Sequence, residues 1–355
     1  MSEKSKIGRR TFLGTGLTAA ASVAVGNTLN GTPAPGDLNL QKLKSQHPYN
    51  ERTHLAMPTN AFGKTGFKVG ILSLGGQATL EQEGKEDISE KMINRAIDLG
   101  VNYIDTAASY GGGVSQKHIG MVMKTRRKEV WLSTKTHDRS YDGSMRLLEE
   151  SLKSLQTDHL DMWQLHNVQR QDQVDKIFAD DGAIKALLKA KEEGVVRHLG
   201  ITGHYEPMIL LDCINRFPFD AILMALNAAD VHYLSFKNYL LPEAQKQGIA
   251  IIGMKVATRG RMISTWTPPP LEEQPTRMRT ALPGTLTIQE ALSYNMTLPV
   301  STTILGVDNL EQIEENMQIA SQFSPLSDQE MQALEYKTLP IVRQGLYFRR
   351  WELGA

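Results

Sequence analysis

The chain has 355 residues with 39 basic and 39 acidic side chains, so no net field draws it to nucleic acid or to an acidic surface. That length suits one large domain or two ordinary ones. The only cysteine, Cys213, excludes an intramolecular disulfide, a Cys-ligated cluster and a thiolate zinc cage, and it reads as a small buried hydrophobe on a helix.

In chain order, residues 1–26 are not fold. Lys4, Lys6, Arg9 and Arg10 precede an Ala-, Gly- and Leu-rich run from Thr11 to Gly26. The run is shorter than the ~20 residues that span a bilayer, so no stable membrane span is expected. Gly8-Arg9-Arg10-Thr11-Phe12-Leu13-Gly14 resembles a twin-arginine export signal, which implies the twin-arginine machinery as a partner and a periplasmic destination. Residues 27–57 read as a polar, Pro/Gly/Asn-punctuated tether, residues 58–340 as the folded domain and residues 341–355 as a C-terminal tail.

A strand–helix rhythm begins near Pro58. Phe62 to Phe67 suggests a hairpin, and Val69 to Leu74 the first strand, ending in Gly75-Gly76-Gln77. A helix from Ser89, its expected cap, to Leu99 follows. Val101 to Ile104 is the second strand and Ser115 to Lys124 its helix. Glu129 to Thr134 and Leu160 to Leu165 are the third and fourth strands, with helices at Ser144–Leu155 and Ala183–Glu192. Val196–Ile201, Ala221–Leu226 and Ile249–Met254 are the fifth to seventh, with helices at Pro207–Asn215 and Tyr239–Gln247. A long Pro- and Arg-rich loop, Thr258 to Gly284, leads to a helix at Ile288–Asn295. Val300–Leu305 is the eighth strand, then come helices at Leu310–Ala320 and Asp328–Leu334. Repeating units of roughly 30 residues predict a (β/α)8 TIM barrel with an N-terminal hairpin and a C-terminal extra helix and tail. An open doubly wound sheet is the alternative, but no G-x-G-x-x-G follows an early strand.

Several strands end in residues foreign to a core. Asp105 closes the second, with Tyr110 on the glycine-rich turn beyond it; Lys135 follows the third, and His166 the fourth. Singly, each has a bland reading as a cap, a snorkelling cation or a satisfied core imidazole. In a barrel, those junctions face one cavity. A phenol titrates near ~10, and a neighbouring ammonium favours its ionised form and lowers that value. A carboxylate holds the ammonium charged, and the imidazole can donate to a substrate oxygen. The set delivers a proton to a carbonyl oxygen, so the hydride at carbon must come from a cofactor. No His and carboxylate spacing suggests a metal.

These residues resemble the aldo-keto reductase family, over nearly all of Pro58 to Leu334. The carriers are Phe62-Gly63-Lys64-Thr65-Gly66, Tyr103-Ile104-Asp105-Thr106-Ala107 with Tyr110-Gly111, Ser133-Thr134-Lys135 and Gln164-Leu165-His166. The resemblance implies carbonyl reduction with NADPH or NADH, or the reverse oxidation, on a small-molecule carbonyl or alcohol. It makes Tyr110 the acid, Lys135 the residue that lowers its pKa, Asp105 the support of the lysine and His166 the group that positions the carbonyl. Gly306-Val307-Asp308-Asn309-Leu310-Glu311-Gln312-Ile313-Glu314-Glu315-Asn316 is similar to the family's adenosine-binding junction, where a helix N-terminus favours phosphate. The implied cofactor contacts are Gly76, Gln77, Thr202, Gly203, His204, Arg259, Arg261, Gly306, Asp308, Gln312, Glu315 and Asn316. Export by the twin-arginine route suits a protein that folds around its cofactor first.

Three features depart from the family's pattern. Leu223 stands where a strand-six glutamine is usual. Asp308 should repel a 2′-phosphate, although Arg259 and Arg261 offset this if they fold over the phosphates. The Thr258–Gly284 loop, with Trp266 and Pro268-Pro269-Pro270, is either a clamp or a surface excursion. NADP or NAD both remain open, with NADP slightly favoured. The tail Leu346-Tyr347-Phe348-Arg349-Arg350-Trp351 reads as a strap packed on the barrel or as a pocket wall. A nucleotide-binding sensor or accessory subunit, and a cofactor-free isomerase or lyase, are the competing functions.

Overall fold

The computed structural model describes residues 47–274 and 282–351. The twin-arginine stretch and residues 275–281 of the long loop lie outside the described residues. Eight parallel strands close a barrel in chain order, the last pairing with the first. A hairpin of β1 (Thr59–Ala61) and β2 (Lys68–Gly70) precedes it. The barrel strands are β3 (Leu72–Ala78), β4 (Tyr103–Asp105), β5 (Trp131–Thr136), β6 (Leu160–Leu165), β7 (Val196–Gly203), β8 (Ala221–Ala225), β9 (Ala250–Met254) and β10 (Thr302–Val307). Side chains such as Ile104, Leu132, Trp163, Ile222 and Ile252 are fully buried, as expected of strands covered on both faces.

The expected elements recur, with shifts that have local causes. Val69 belongs to the hairpin, not to the first barrel strand. Gly70 N donates to Asn102 Oδ1 (3.0 Å) and Asn102 Nδ2 donates to Lys68 O (2.9 Å), which pins the hairpin before the barrel begins. Ser89 is not a cap: the helix spans Glu86–Asp98, where Glu86 and Asp87 suit the positive end of the dipole. Two helices, Gln171–Phe178 and Ala183–Glu192, follow β6 where one was expected. The end of the expected tether is docked. Asn50 is buried and donates to Ile97 O (2.8 Å) and Val101 O (3.1 Å), and Thr53–Ala56 form a short helix.

Beyond the helix Asp328–Lys337, the tail packs on the barrel as a strap. Leu346 and Phe348 are buried, and Arg349 pairs with buried Asp230. Arg349 also donates to the carbonyls of His204 (3.0 Å) and Ala225 (3.2 Å), tying the strap to β8 and to the residue beyond β7. Among the described residues, no helix is long and apolar enough to cross a membrane.

At the opposite mouth, Asp161 on β6 is fully buried. It accepts from Leu132 N (2.9 Å) and pairs with Arg127 (2.7 Å) and Arg197 (2.9 Å). Removing one partner of such a network strands the others. Asp161→Ala should cost about 2–3 kcal/mol in urea unfolding, less than a fully enclosed pair because both guanidiniums keep some solvent access. A loss under about 0.5 kcal/mol would show that the network contributes nothing.

Candidate active site

The carboxyl ends of β4, β5 and β6 bring the four singled-out residues together. Asp105 is the last residue of β4, Lys135 lies near the end of β5, and His166 directly follows β6. Register places Lys135 opposite Gln164 and Asp105 opposite Ser133. Tyr110 reaches the same point from a tight turn. Gly111, Gly112 and Gly113 all have positive φ (56°, 62° and 97°), and a Cβ on Gly111 would lie 2.0 Å from Glu81 O. Only glycine can make this turn, and the turn aims the phenol.

Lys135 is fully buried, and each of its three N–H groups has an acceptor: the Asp105 carboxylate, Thr106 O (2.7 Å) and the Tyr110 hydroxyl oxygen (3.3 Å). Gln164 Nε2 donates to the other oxygen of Asp105 (3.1 Å) and to Ser133 Oγ (2.7 Å). His166 stands edge-on to Tyr110, with ring centroids 5.7 Å apart, and its Nδ1 lies 3.3 Å from Ser109 Oγ. If Ser109 donates to Nδ1, Nε2 carries the proton and can donate to a substrate oxygen.

Burial opposes charge on Lys135, but Asp105 and Tyr110 outweigh it and hold the ammonium above its ordinary pKa. Burial raises the Asp105 carboxyl, with Lys135 pulling the other way. Tyr110 differs from expectation. Burial pushes its phenol above the usual value, and Lys135 offsets only part of that rise. The resting group is therefore a neutral phenol that holds its proton. His166 is held well below its usual value by burial, then by Lys135 and His204, so it is a neutral imidazole at neutral pH.

A cleft of about 840 Å³ opens beside Asp105 and Tyr110 and runs past the ends of β3 and β9 to the start of the helix Leu310–Ser321. That volume lies in the usual range for ligand sites. A shift in the pairing of β10 with β3 between Leu305 and Val307 leaves Gly306 at the rim. Of the expected cofactor contacts, Gly76, Gln77, Arg259, Gly306, Asp308, Gln312, Glu315 and Asn316 line the cleft. Asn309 caps the helix by accepting from Gln312 N (2.9 Å), and Gln312 Oε1 accepts from Asp308 N (2.8 Å).

Four expected contacts lie elsewhere. Thr202 is buried, and its hydroxyl accepts from Asn167 N (2.7 Å). A Cβ on Gly203 would meet Val168 O at 2.9 Å, so this position serves packing. His204 lies edge-on to Phe348 of the strap. Arg261 does not fold over the cleft. Its guanidinium lies over the rings of Trp266 (5.5 Å) and Tyr347 (5.0 Å), joining the long loop to the tail.

The donor set fits a dinucleotide: two cations for phosphates at Lys255 and Arg259, a capped helix terminus, and acceptors for hydroxyl and amino groups at Asp308, Glu315 and Asn316. Among the described residues, no group of His, Cys, Asp and Glu is arranged to hold a metal ion. Sequence reasoning missed Lys255, Glu81 and the role of Gln164. Lys255 directly follows the apolar run Ile249–Met254, the same signal that singled out Lys135 and His166.

The chain is similar to known proteins in family and fold. Residues 69–338 match the aldo/keto reductase family. The chain is 26% identical over 289 residues to the uncharacterized oxidoreductase YqkF of Bacillus subtilis, covering 72% of this chain and 88% of that one. It is 28% identical over 295 residues to L-galactose dehydrogenase of Arabidopsis thaliana, covering 76% and 90%. The apo form of aldo-keto reductase AKR11C1 from Bacillus halodurans superposes with a TM-score of 0.61 at 26% identity, over 79% of this chain and 96% of that one. An aldo-keto reductase from Klebsiella pneumoniae in complex with NADPH shares the fold, with a TM-score of 0.62 at 20% identity over 79% and 94%.

Lys135→Met removes the cation that donates to the phenol. It should raise the pH at which Tyr110 ionises, read as phenolate absorbance against a Tyr110→Phe blank. An unchanged titration would remove Lys135 from this role.

Proposed function

The chain belongs to the aldo/keto reductase family and is an NAD(P)-dependent oxidoreductase, and from that premise we propose that it reduces an aldehyde or ketone to an alcohol with Tyr110 as proton donor. The observation that supports this reading is the three-acceptor seat of Lys135, which makes the Tyr110 oxygen an acceptor and leaves its proton for a substrate. A bound nicotinamide supplies hydride to the carbonyl carbon. His166 donates to the carbonyl oxygen and orients it. As negative charge grows on that oxygen, Tyr110 gives up its proton, and the phenolate left behind is stabilised by Lys135. Asp105, held by Gln164, keeps Lys135 charged and in place. Gln77, Lys255, Arg259, Gly306, Gln312 and Asn316 would hold the dinucleotide.

We further propose that NAD is preferred over NADP, against the slight preference drawn from the sequence. Asp308 and Glu315 line the far end of the cleft, and Arg261 packs between loop and tail. Among the described residues lining the cleft the cations are Lys255 and Arg259, each already engaged, so a 2′-phosphate there would meet Asp308 first. The pair Arg9-Arg10 supports export of the folded, loaded protein by the twin-arginine route.

The test is steady-state turnover of NADH and NADPH against an aldehyde panel, with Tyr110→Phe as control. Turnover should favour NADH, and the control should lose at least about 10²-fold, the usual scale of a positioned general acid. No turnover above the control would refute the catalytic reading, and a preference for NADPH would refute the cofactor assignment. The reverse oxidation needs the phenolate. Because burial raises Tyr110, oxidation should climb with pH through the alkaline range while reduction falls.

A further inference from the structure

Two cations line the middle of the cleft, and neither points freely into it. Lys255 Nζ donates to Gln77 Oε1 (3.2 Å), and Arg259 pairs with Glu81 Oε1 (3.1 Å). Gln77 Nε2 donates to Glu81 Oε2 (3.4 Å), closing a chain Lys255–Gln77–Glu81–Arg259 between the segment after β9 and the end of β3 with the turn beyond it. All four residues line the cleft. The backbone around them is forced: Lys255, Thr258 and Arg259 have φ of 64°, 52° and 54°, and Ala78 has 65°. Non-glycine residues hold this conformation at a cost, and such strain gathers at ligand clamps.

We propose that Lys255 and Arg259 seat the cofactor's pyrophosphate, that Glu81 stands in for that anion in the free cleft, and that seating the anion adds a proton to Lys255. The proposal rests on the oxidoreductase reading and adds to it a carboxylate that the cofactor displaces and a proton linkage. Glu81 is one carboxylate that pairs with Arg259 directly and reaches Lys255 only through Gln77, whereas a pyrophosphate brings two charges and more acceptor oxygens to both cations. Binding therefore exchanges partners along the clasp, and Glu81 must give way.

The proton linkage follows from what surrounds the amine. Burial, then Arg259, bring Lys255 down to about 8; Glu81 works against this, as Lys135 and Asp105 across the cleft respectively lower and raise it. An anion beside the amine raises that value. Near pH 7 the amine is charged with or without the anion, and affinity is flat. Above pH 8 the free protein has lost part of the proton that the complex keeps, so binding takes up protons and weakens as pH rises.

The experiment is calorimetry with NADH and with ADP-ribose, which has the pyrophosphate but no nicotinamide, near pH 8.5 in buffers of different ionisation enthalpy. Both nucleotides should take up a fraction of a proton. Lys255→Met should lose affinity about tenfold or more, the scale of a charged hydrogen bond, together with the uptake. Lys255→Arg, which cannot titrate in this range, should keep most of the affinity and lose the uptake. Glu81→Gln should bind both nucleotides more tightly than the parent. Uptake that persists in Lys255→Arg, or a Glu81→Gln variant that binds more weakly, would overturn the proposal while leaving the oxidoreductase reading intact. Failure of the unaltered protein to bind NADH, NADPH or ADP-ribose would overturn both.

Discussion

An ammonium buried among strands has to be paid for by full coordination, and Lys135 shows how. Its three protons go to the Asp105 carboxylate, a backbone carbonyl and the Tyr110 oxygen. No N–H is left over and no rotation is free, so the position of the phenol is set by the lysine as much as by its own turn. In the mechanism proposed above, the third acceptor carries the chemistry. A hydroxyl oxygen that accepts from below must send its proton elsewhere, and the open direction is the cleft. Burial of Tyr110 keeps that proton on at rest, and the ammonium beneath it stabilises the phenolate only once the proton has left.

The same trade between burial and pairing shapes the adjoining cleft. Arg259 and Lys255 are occupied by Glu81 and Gln77, so the free protein does not hold two bare cations against each other. The segment carrying Glu81 also abuts Gly111, so the clasp over the cleft and the turn that aims Tyr110 are in backbone contact. Farther along, Asp308 and Glu315 make the far end of the cleft acidic, and the guanidinium expected to balance them packs against Trp266 and Tyr347.

Much of this was legible in the sequence because it followed short-range rules. Apolar runs ending in Asp105, Lys135 and His166 marked strand ends, and a closed barrel brings strand ends together. The same rule applied to Lys255 and was not used there. What the sequence could not supply was the direction of long side chains. Arg259 and Arg261 are two residues apart, yet one lines the cleft and the other packs against the tail, a choice made by Tyr347 from almost ninety positions away. The sign of the Tyr110 shift was missed for a related reason: charge neighbours can be guessed from motifs, whereas depth of burial cannot. Ser89 failed as a cap because the acidic pair Glu86-Asp87 starts its helix a turn earlier.

The most direct test is the charge state of Lys135 itself, followed by NMR of side-chain-labelled lysine in the folded protein. The account predicts an ammonium that keeps its proton through pH 9 in the parent and loses it at distinctly lower pH in Asp105→Asn. A neutral amine at pH 7, or a titration indifferent to Asp105, would contradict it.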